Sequence, residues 1–383
     1  MGYQMDPLTL HRKNIGKLDI TSSIPIDSKE VLSAVYTPGV GEVCKAIEKD
    51  PELLREYTIA GRTVAVISNG TAVLGFGAIG PKAALPVMEG KSAIFKEFAG
   101  IQSYPICIEE EDPDKFIEIV KSIAMNFAAI NLEDISAPSC FYIEDLLSQE
   151  LDIPVIHDDQ HGTAIVTVAA LLGAVELTKK TDLKIAVLGA GAAGTAITKL
   201  LIEAREVGLL SITDITVYDS KGSIDNTRKD LNPYKQELAK LTKQTNSRSF
   251  QEGISGCDVL IGVSVANSVT GKDVRSMVES SIVFALANPV PEVMPAIALE
   301  AGASIVATGR SDMPNQINNA LAYPGVFKGL LDGKIRKVTS KHKIAAAEAI
   351  YKYHLPALTP DSILPSVLDK DVAKVIATAI IGR

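Results

Sequence analysis

The sequence predicts an α/β protein of two domains: the second a Rossmann-type doubly wound parallel sheet, the first a smaller α/β domain. Three observations predict this class. The chain has 383 residues, which is too long for a single ordinary hydrophobic core. Short apolar runs typical of buried strands alternate with helical patterns. From Leu183 onward the chain repeats strand, turn and helix, which is typical of βαβ units.

A long, small and apolar helical stretch, Gly162 to Leu177, marks the predicted boundary between the domains. We therefore expect an N-terminal catalytic domain over residues 1–160. A nucleotide-binding domain with added C-terminal helices is expected over residues 161–383.

The composition excludes several classes of partner. Hydrophobic residues make up 46% and charged residues 22% of the chain, which is typical of a soluble globular protein. The net charge of −8, with acids and bases mixed, argues against nucleic acid or an anionic membrane. The longest apolar run, Ala164 to Val175, is too short to span a bilayer. The four cysteines are dispersed and no signal peptide is evident, so we expect a cytoplasmic protein.

The first sixty residues predict a terminal arm and short helices. Residues 1–27 are polar and irregular, and Ser28 is a suitable N-cap for a short helix. Pro38 ends that helix, so Tyr36 lies where it gives way to a loop. By itself a tyrosine there is more often a packing residue than a chemical one. Asp50-Pro51 predicts the start of a further helix.

A first glycine-rich loop follows two predicted strands, Thr63–Ile67 and Thr71–Gly75. Its glycines are spaced GxGxxG between Gly75 and Gly80, but Pro86 follows and no acidic residue stands at the expected distance. We do not interpret it as the dinucleotide site. Lys91 is predicted at a helix start, where the dipole lowers its pKa and suits a general base. A surface lysine is the plainer interpretation.

Two acidic pairs organise the chain. Glu133–Asp134 and Asp158–Asp159 each follow a strand-like apolar run, Ala128–Leu132 and Ile153–Ile156. Carboxylates at the ends of buried parallel strands converge on the ligand site of α/β proteins, and they repel each other unless a cation lies between them. Oxygen ligands favour Mg²⁺ or Mn²⁺. The plainer alternative is four solvated acids at loop starts.

A dinucleotide motif follows the strand that begins at Leu183. Its glycines allow the tight turn, the approach of the pyrophosphate and close helix packing. The candidate phosphate-binding residues are Gly189, Ala190, Gly191, Ala192, Ala193 and Gly194. The next strand, Ile215–Tyr218, ends in Asp219, whose carboxylate would bind the adenosine ribose and favour NAD over NADP. Lys221, two residues further on, is a cation that could tolerate the 2′-phosphate, so NADP is also possible.

Three further strands are predicted, and their ends face the same crevice. They are Asp258–Val263, Ser281–Ala287 and Ser304–Ala307. Ser264 and Asn288 follow the first two, and Asn318-Asn319 follows the third more distantly. These side chains are candidates for polar contacts with cofactor or substrate, although Asn beside Pro is also a common turn.

Seven ordered motifs together resemble the malic enzymes, specifically their short microbial form, over almost the whole chain. They are SAVYTPGVGEV (33–43), PVMEGKSAIFKEFAG (86–100), INLEDISAP (130–138), IPVIHDDQHGTA (153–164), VLGAGAAG (187–194), FALANPVPE (284–292) and ATGRSDMPNQINNALAYPG (307–325). The resemblance implies oxidative decarboxylation of L-malate to pyruvate and CO₂ with NAD(P)⁺ and a divalent cation. It also implies a homodimer, for which the N-terminal arm is a candidate contact.

The resemblance implies roles for individual residues. Tyr36 would be the general acid and Lys91 the general base, with Asp158 orienting groups beside them. The metal ligands would be Glu133, Asp134 and Asp159. Four residues would contact the substrate: Asn288, Asn319, Tyr36 and Lys91.

Three alternatives are open on the sequence. A malolactic-type enzyme would use the same residues but release lactate. A non-catalytic NAD-binding regulatory protein would have no need of the complete set of motif residues. An amino-acid dehydrogenase of similar layout would have little use for clustered carboxylates.

Overall fold

Two sheets organise the chain. The computed structural model describes residues 6–73, 75–245 and 249–382. A four-stranded sheet precedes a six-stranded sheet along the chain. The expected α/β class, with a smaller N-terminal domain and a Rossmann-type second domain, is confirmed.

The first sheet is wholly parallel, in the order β2-β1-β3-β4. Strands β1, β3 and β4 are buried along their whole length, whereas the edge strand β2 is only partly buried. Leu132 pairs with His157, so the residues that follow these two strands lie side by side. The strands are β1 (Thr63–Ser68), β2 (Gln102–Cys107), β3 (Ala129–Leu132) and β4 (Val155–His157). The helices are α1 (Pro7–Asn14), α2 (Lys29–Val35), α3 (Val40–Lys49), α4 (Leu54–Tyr57), α5 (Pro81–Ala99), α6 (Pro113–Ile123), α7 (Ser139–Glu150) and α8 (Asp158–Thr178).

Two local predictions in this domain are wrong. Thr71–Gly75 is not a strand: its described residues form a loop in which Val73 makes only an isolated bridge to Gly77, and residue 74 lies outside the described part. Lys91 does not begin a helix, because α5 starts at Pro81 and continues through Pro86. Lys91 therefore lies in the middle of α5, beyond the first turn where the helix dipole acts.

The second sheet has the order β10-β9-β8-β5-β6-β7, and only β7 is antiparallel. The change of direction at β5 places a crevice at the carboxyl ends of β5 and β8. The strands are β5 (Leu183–Leu188), β6 (Ile212–Asp219), β7 (Gly222–Ser223), β8 (Val259–Gly262), β9 (Ser281–Ala285) and β10 (Ala303–Thr308). The helices are α9 (Ala192–Glu206), α10 (Pro233–Leu241), α11 (Phe250–Gly253), α12 (Gly271–Ser276), α13 (Pro295–Glu300), α14 (Tyr323–Asp332), α15 (Ser340–His354) and α16 (Asp371–Ile381).

Helix α8 joins the two halves. It begins four residues before the predicted Gly162, so Asp158 and Asp159 lie in its first turn and not in a loop. Its length and composition would allow it to cross a membrane, but 67% of its apolar window is buried inside the protein. It packs against α9 and α15. One continuous apolar cluster includes residues of both sheets and of α8, so α8 is a core helix.

Candidate active site

A cleft of about 770 Å³ lies between the two sheets. The N-terminal half contributes Lys91 from α5, the acids that follow β3, and Asp159 from α8. The second half contributes the start of α9 and the loops after β8, β9 and β10. Of the ten polar residues that the sequence predicts for the site, seven line this cleft, whereas Tyr36, Asp158 and Asp219 are not among its described lining residues.

Three carboxylates converge on one wall of this cleft. Oxygen atoms of Glu133, Asp134 and Asp159 lie within 4.8 Å of one another. The Asp134 amide donates to Asp159 Oδ2 at 2.8 Å, which ties the end of β3 to the start of α8. Asp134 has a φ of 54°, a left-handed conformation that Asp tolerates better than most residues.

The donor set fits a hard divalent cation. Burial and the charge of Asp159 raise the pKa of Glu133 well above its ordinary value, although Lys91 opposes this. Crowded buried carboxylates of this kind are stabilised by a cation between them. Carboxylate oxygens without nitrogen or sulfur are the ligands that Mg²⁺ and Mn²⁺ prefer.

Lys91 lies at the base of the cleft beside two acids. Its Nζ is 2.6 Å from Asp158 Oδ2 and 2.7 Å from Glu133 Oε1, and the residue is 8% exposed. Burial opposes its charge, but Asp158 and Glu133 outweigh burial and raise its pKa well above the ordinary value. The expected lowering of its pKa by a helix start is therefore wrong for the chain without ligands.

Tyr323, which was not predicted as a site residue, contacts Lys91 through both its ring and its hydroxyl group. The Lys91 Nζ lies 4.2 Å from the centre of the Tyr323 ring, within range of a cation–π interaction. The Tyr323 hydroxyl donates to the Lys91 backbone carbonyl at 3.2 Å. Burial raises the pKa of this phenol well above its ordinary value. Tyr323 lies inside the 307–325 motif, which is the signal that would have found it.

Glu144 fixes the start of α8 from behind the cleft. Its carboxylate accepts hydrogen bonds from the His157 amide at 2.7 Å and from Gln160 Nε2 at 2.9 Å, and lies 3.0 Å from His161 Nε2. Burial opposes its charge, but His161 and the neighbouring donors lower the pKa of Glu144 well below its ordinary value. The turn that carries Asp158 and Asp159 is thereby anchored to α7.

Tyr36 is not brought into this cleft. It lies at the end of α2, is 68% exposed and is absent from the described residues that line the cleft. The structure thus separates Tyr36 from Lys91, the residue with which the sequence motifs associate it.

The glycine turn after β5 has the geometry that a dinucleotide site needs. Gly189 has a φ of 118°, and a Cβ at Gly194 would lie 1.9 Å from the Gly189 carbonyl oxygen, so both positions require glycine. Gly191, Ala192 and Ala193 line the cleft at the start of α9, where free N–H groups favour phosphate. Gly189, Ala190 and Gly194 form the turn behind them.

Asp219 ends β6 as predicted, but its charge is already paired. Arg228 Nη1 lies 2.7 Å and Lys235 Nζ 2.6 Å from the two oxygens of its carboxylate. Burial opposes the charge of Asp219, but hydrogen bonds from Arg228 and Lys235 lower its pKa. Lys221 pairs instead with Asp230. Sequence reasoning missed Arg228, which lies between β7 and α10, and Lys235, which lies in the first turn of α10.

The loops after β8 and β9 are held together by the buried Glu292. Its carboxylate accepts from the Ser264 amide at 2.6 Å and the Ala287 amide at 3.0 Å. Ser264 and Asn288 both line the cleft, as does Asn319 from the loop after β10. A Cβ at Gly75 would lie 2.3 Å from the Asn288 carbonyl oxygen, so the first glycine loop is where the two halves meet.

The fold and this cleft define a dinucleotide-dependent enzyme with a cluster of carboxylates in its cleft. Comparisons with known proteins name the family. The malic enzyme N-terminal domain matches residues 16–148, and the malic enzyme NAD binding domain matches residues 160–383. The chain belongs to the malic enzyme family.

Relatives match nearly the whole chain. The bifunctional malic/malolactic enzyme of Bacillus subtilis is 48% identical, with 99% of this chain and 92% of that protein covered. The NAD-dependent malic enzyme of Geobacillus stearothermophilus is 48% identical, covering 96% and 76%. The crystal structure of the NAD-dependent malic enzyme of Thermotoga maritima superimposes with a TM-score of 0.94 at 44% identity, covering 99% and 100%.

Proposed function

We propose that the chain catalyses the oxidative decarboxylation of L-malate to pyruvate and CO₂ with reduction of NAD⁺. The observation that carries this proposal is the buried contact of Lys91 with Asp158 and Glu133, beside the acidic trio and facing the nucleotide turn. A hydroxyl group at C2 of malate needs a base, a cation and a hydride acceptor within one cleft. Decarboxylation of bound oxaloacetate is part of the same proposal.

Glu133, Asp134 and Asp159 would hold Mg²⁺ or Mn²⁺. When bound, the cation supplies Lewis-acid polarisation of the oxygen at C2, which stabilises the charge that develops as CO₂ leaves. The buried position of Glu133 and Asp134 keeps water from competing with substrate oxygens.

Lys91 is assigned the proton exchange with the C2 hydroxyl, for which it must be a neutral amine; a cation held by Glu133 would oppose the carboxylate charge that keeps Lys91 protonated. Asp158 orients Lys91 through the 2.6 Å contact with its Nζ. On the YTPG motif alone, Tyr36 is assigned protonation of C3 after CO₂ leaves: its O–H bond breaks as the C3–H bond forms. In this structure Tyr36 lies outside the cleft, so the step requires it to approach the substrate. Lys91 then returns to the phenolate the proton that it took from the hydroxyl.

Amide side chains complete substrate binding in this proposal. Asn288 and Asn319 lie in the cleft and would donate to the carboxylates of malate. Asn288 and Ser264 both line the cleft after the paired strands β9 and β8, so both would contact the nicotinamide end of the cofactor.

NAD is proposed as the preferred cofactor, because Asp219 at the end of β6 suits a ribose with free hydroxyl groups. NADP is the second candidate. Arg228 and Lys235 flank Asp219, and both are cations that would attract a 2′-phosphate.

A malolactic outcome is the second candidate function, because a 48% identical relative is named a bifunctional malic/malolactic enzyme. A non-catalytic NAD-binding role is a weaker alternative, since the cleft holds Lys91 and all three proposed metal ligands. A homodimer and a cytoplasmic location belong to the proposal as well. The second is supported by four free, dispersed cysteines.

Product analysis tests the proposal. The protein is incubated with L-malate, Mn²⁺ and either NAD⁺ or NADP⁺, while absorbance at 340 nm and the organic acids formed are followed. Pyruvate in equal amount to reduced nucleotide supports the malic reaction and ranks the two cofactors. Lactate without net nucleotide reduction establishes the malolactic outcome instead. Malate left unchanged under all conditions would overturn both in favour of a binding role.

A further inference from the structure

A second cavity of about 330 Å³, here termed the rear cavity, lies beside the start of α8 and is separate from the cleft. Asp159 and Thr163 line the cleft, whereas Gln160 and His161 line the rear cavity. Helices α7 and α9 and the start of α15 supply its other walls, and no described residue lines both spaces. Small-molecule sites typically have volumes of about 300–1,000 Å³, so the rear cavity is large enough for a ligand.

Lys343 brings a positive charge without a counter-ion to the rear cavity. It lies in the first turn of α15, and its Nζ is 2.9 Å from His161 Nδ1. Among the residues that the structure describes, no carboxylate forms an ion pair with it. Burial lowers the pKa of Lys343, although Glu144 and Glu203 oppose this effect. An anion bound beside Lys343 would stabilise its charge.

The other cations that line the rear cavity already have partners. Lys199 and Arg336 form ion pairs with exposed acidic residues. Lys337 donates to backbone carbonyls near the end of α7. Within the described part of the chain, Lys343 is therefore the cation of this cavity that is available to a ligand.

Thr195 brings an unused hydrogen-bonding group to the same cavity. The residue is 3% exposed, and among the described residues its hydroxyl has no hydrogen-bond partner. Thr198, on the same helix α9, instead donates its hydroxyl to the Gly194 carbonyl at 2.7 Å. Because nearly all buried polar atoms in proteins have a partner, the Thr195 hydroxyl indicates a polar ligand independently of Lys343.

The rest of the lining indicates the chemical class of that ligand. One ammonium group and one hydroxyl group suit the two oxygens of a single carboxylate. Three acids, Glu144, Asp145 and Glu203, also line the cavity and would repel a ligand with a second negative charge. Apolar side chains cover much of the remaining wall: Phe141, Ile153, Ile156, Leu200 and Val338. A monocarboxylate with an apolar remainder therefore fits better than phosphate or a dicarboxylate.

Both donors are connected to the active site. His161 lies between Lys343 and Glu144, with its Nε2 3.0 Å from the Glu144 carboxylate. Glu144 in turn anchors the start of α8, which carries two acids of the site. The Thr195 amide donates to the Gly191 carbonyl at 3.0 Å, within the nucleotide turn. A ligand in the rear cavity would thus contact groups that hold both turns in place.

We infer that the rear cavity is an effector site for a small monocarboxylate whose oxygens bind Lys343 and the Thr195 hydroxyl. Binding would draw Lys343 away from His161 and so loosen the anchor of the first turn of α8. The binding site itself does not depend on the proposed function, whereas its effect on catalysis rests on it.

Binding of hexanoate tests the site. Its affinity for the full chain is measured by saturation-transfer NMR, beside hexan-1-ol, which has the same tail without charge, and hexylamine, which has the opposite charge. We expect saturable binding of hexanoate and a Kd at least about tenfold higher for the other two compounds, because neither offers an anion to Lys343. Equal affinities for the three compounds, or no saturable binding of hexanoate, would overturn the inference.

Two variants locate the bound hexanoate. Lys343→Met removes the charge, and Thr195→Val removes the hydroxyl at nearly constant volume. Each should raise the Kd of hexanoate about tenfold, since each removes a hydrogen bond to a charged group. Because the two changes are independent, Thr195→Val decides the question if Lys343→Met fails to fold.

Lys352→Met, at an exposed lysine of the same helix α15, is the matched control. It should bind hexanoate as wild type does. A Kd that is unchanged in Lys343→Met and Thr195→Val would place hexanoate elsewhere and overturn the assignment.

The effect on catalysis is measured through the Mn²⁺ requirement of malate-dependent NAD⁺ reduction. Saturating hexanoate should raise the Mn²⁺ concentration for half-maximal rate about fivefold in wild type, a typical size for coupling between two sites, and should have no effect in Lys343→Met. A requirement that does not rise in wild type, or that rises equally in Lys343→Met, would overturn the effector role. The binding measurement needs no turnover, so a protein that leaves malate unconverted would refute the proposed function without affecting the test of the site.

Discussion

Gly162 stands one helical turn after Asp158, and a Cβ at Gly162 would lie 1.8 Å from Asp158 Oδ1. The same Cβ would approach the Asn319 Cβ to 3.2 Å. The Asp158 carboxylate therefore occupies space that only glycine leaves free, and from there its other oxygen reaches Lys91 at 2.6 Å. The HDDQHG motif therefore has glycine at position 162 because any larger residue would clash with the Asp158 carboxylate.

Gly162→Ala should lower activity by displacing Asp158 from Lys91. We expect kcat to fall about tenfold or more, because a small misplacement of a catalytic group has an effect of this size. Gly173→Ala is the control: it also crowds α8, against the Ile363 carbonyl oxygen at 2.8 Å, but away from the cleft. It should lower the melting temperature and leave kcat nearly unchanged. Equal losses of kcat in both variants would refute the role given to Gly162.

Lys91→Met should abolish most of the catalysis while the fold is kept. A positioned acid–base group contributes about 10²- to 10⁴-fold, so kcat should fall by at least about a hundredfold. Lys82→Met, an exposed lysine of the same helix, is the matched control and should retain activity. The proposed base role would be untenable if Lys91→Met kept more than about a tenth of the wild-type kcat with an unchanged pH profile.

Asp219→Ser should shift cofactor use towards NADP. Removing the carboxylate frees Lys235 and the Nη1 of Arg228 to bind a 2′-phosphate, while Arg228 stays paired with Asp230, and it removes the acceptor for the ribose of NAD. We expect the ratio of kcat/KM for NADP⁺ to that for NAD⁺ to rise about tenfold, which is about 1.4 kcal/mol. Asp214→Asn, at the other end of β6, should leave the ratio unchanged. A fall in the ratio would show that Asp219 does not discriminate against the phosphate.

Glu144→Gln should destabilise the fold at neutral pH. Breaking a buried charged network leaves its partners unpaired and costs about 3–5 kcal/mol, measured by urea unfolding. Because the pKa of Glu144 is lowered in the folded state, its contribution is complete above its ordinary value of 4.5 and is lost as pH falls below it. The difference from wild type should therefore be constant from pH 8 to about pH 5 and shrink in acid.

The surface variant Glu237→Gln is the control for that series. Glu237 pairs with Lys199 in an exposed ion pair, so its loss should change the unfolding free energy by about 1 kcal/mol or less. If Glu144→Gln behaves in the same way, the network around His161 does not anchor α8.

Local patterns predicted the parts of the site that follow strands. The pairs Glu133–Asp134 and Asp158–Asp159, and the glycine turn at Gly189, stand directly after apolar runs. The carboxyl ends of parallel strands lie at the same edge of a sheet. Residues that directly follow such strands are therefore expected to lie close together. The predicted and observed ends of these elements differ by one to four residues, because local sequence specifies the ends of helices and strands only weakly.

Long-range contacts were beyond local patterns. Lys91 was expected to have a lowered pKa, but its contact with Asp158 raises it. Asp158 lies 67 positions further along the chain, so no local periodicity could predict this contact. Arg228 reaches Asp219 from the loop after β7, and Lys235 reaches it from α10. Tyr36 lies outside the cleft because it follows α2 and precedes α3, and the motif around Tyr36 does not encode where these helices pack.

We propose that Lys91 and the three carboxylates beside it carry a metal-dependent oxidation and decarboxylation of L-malate. Malate-dependent NAD⁺ reduction at 340 nm can be followed after treatment with EDTA, during titration with Mn²⁺, for wild type and Asp159→Asn. We expect no reduction after EDTA, full recovery with Mn²⁺ in wild type, and recovery in Asp159→Asn only at a far higher Mn²⁺ concentration. Reduction that persists in EDTA, or identical Mn²⁺ dependence in the two proteins, would contradict it.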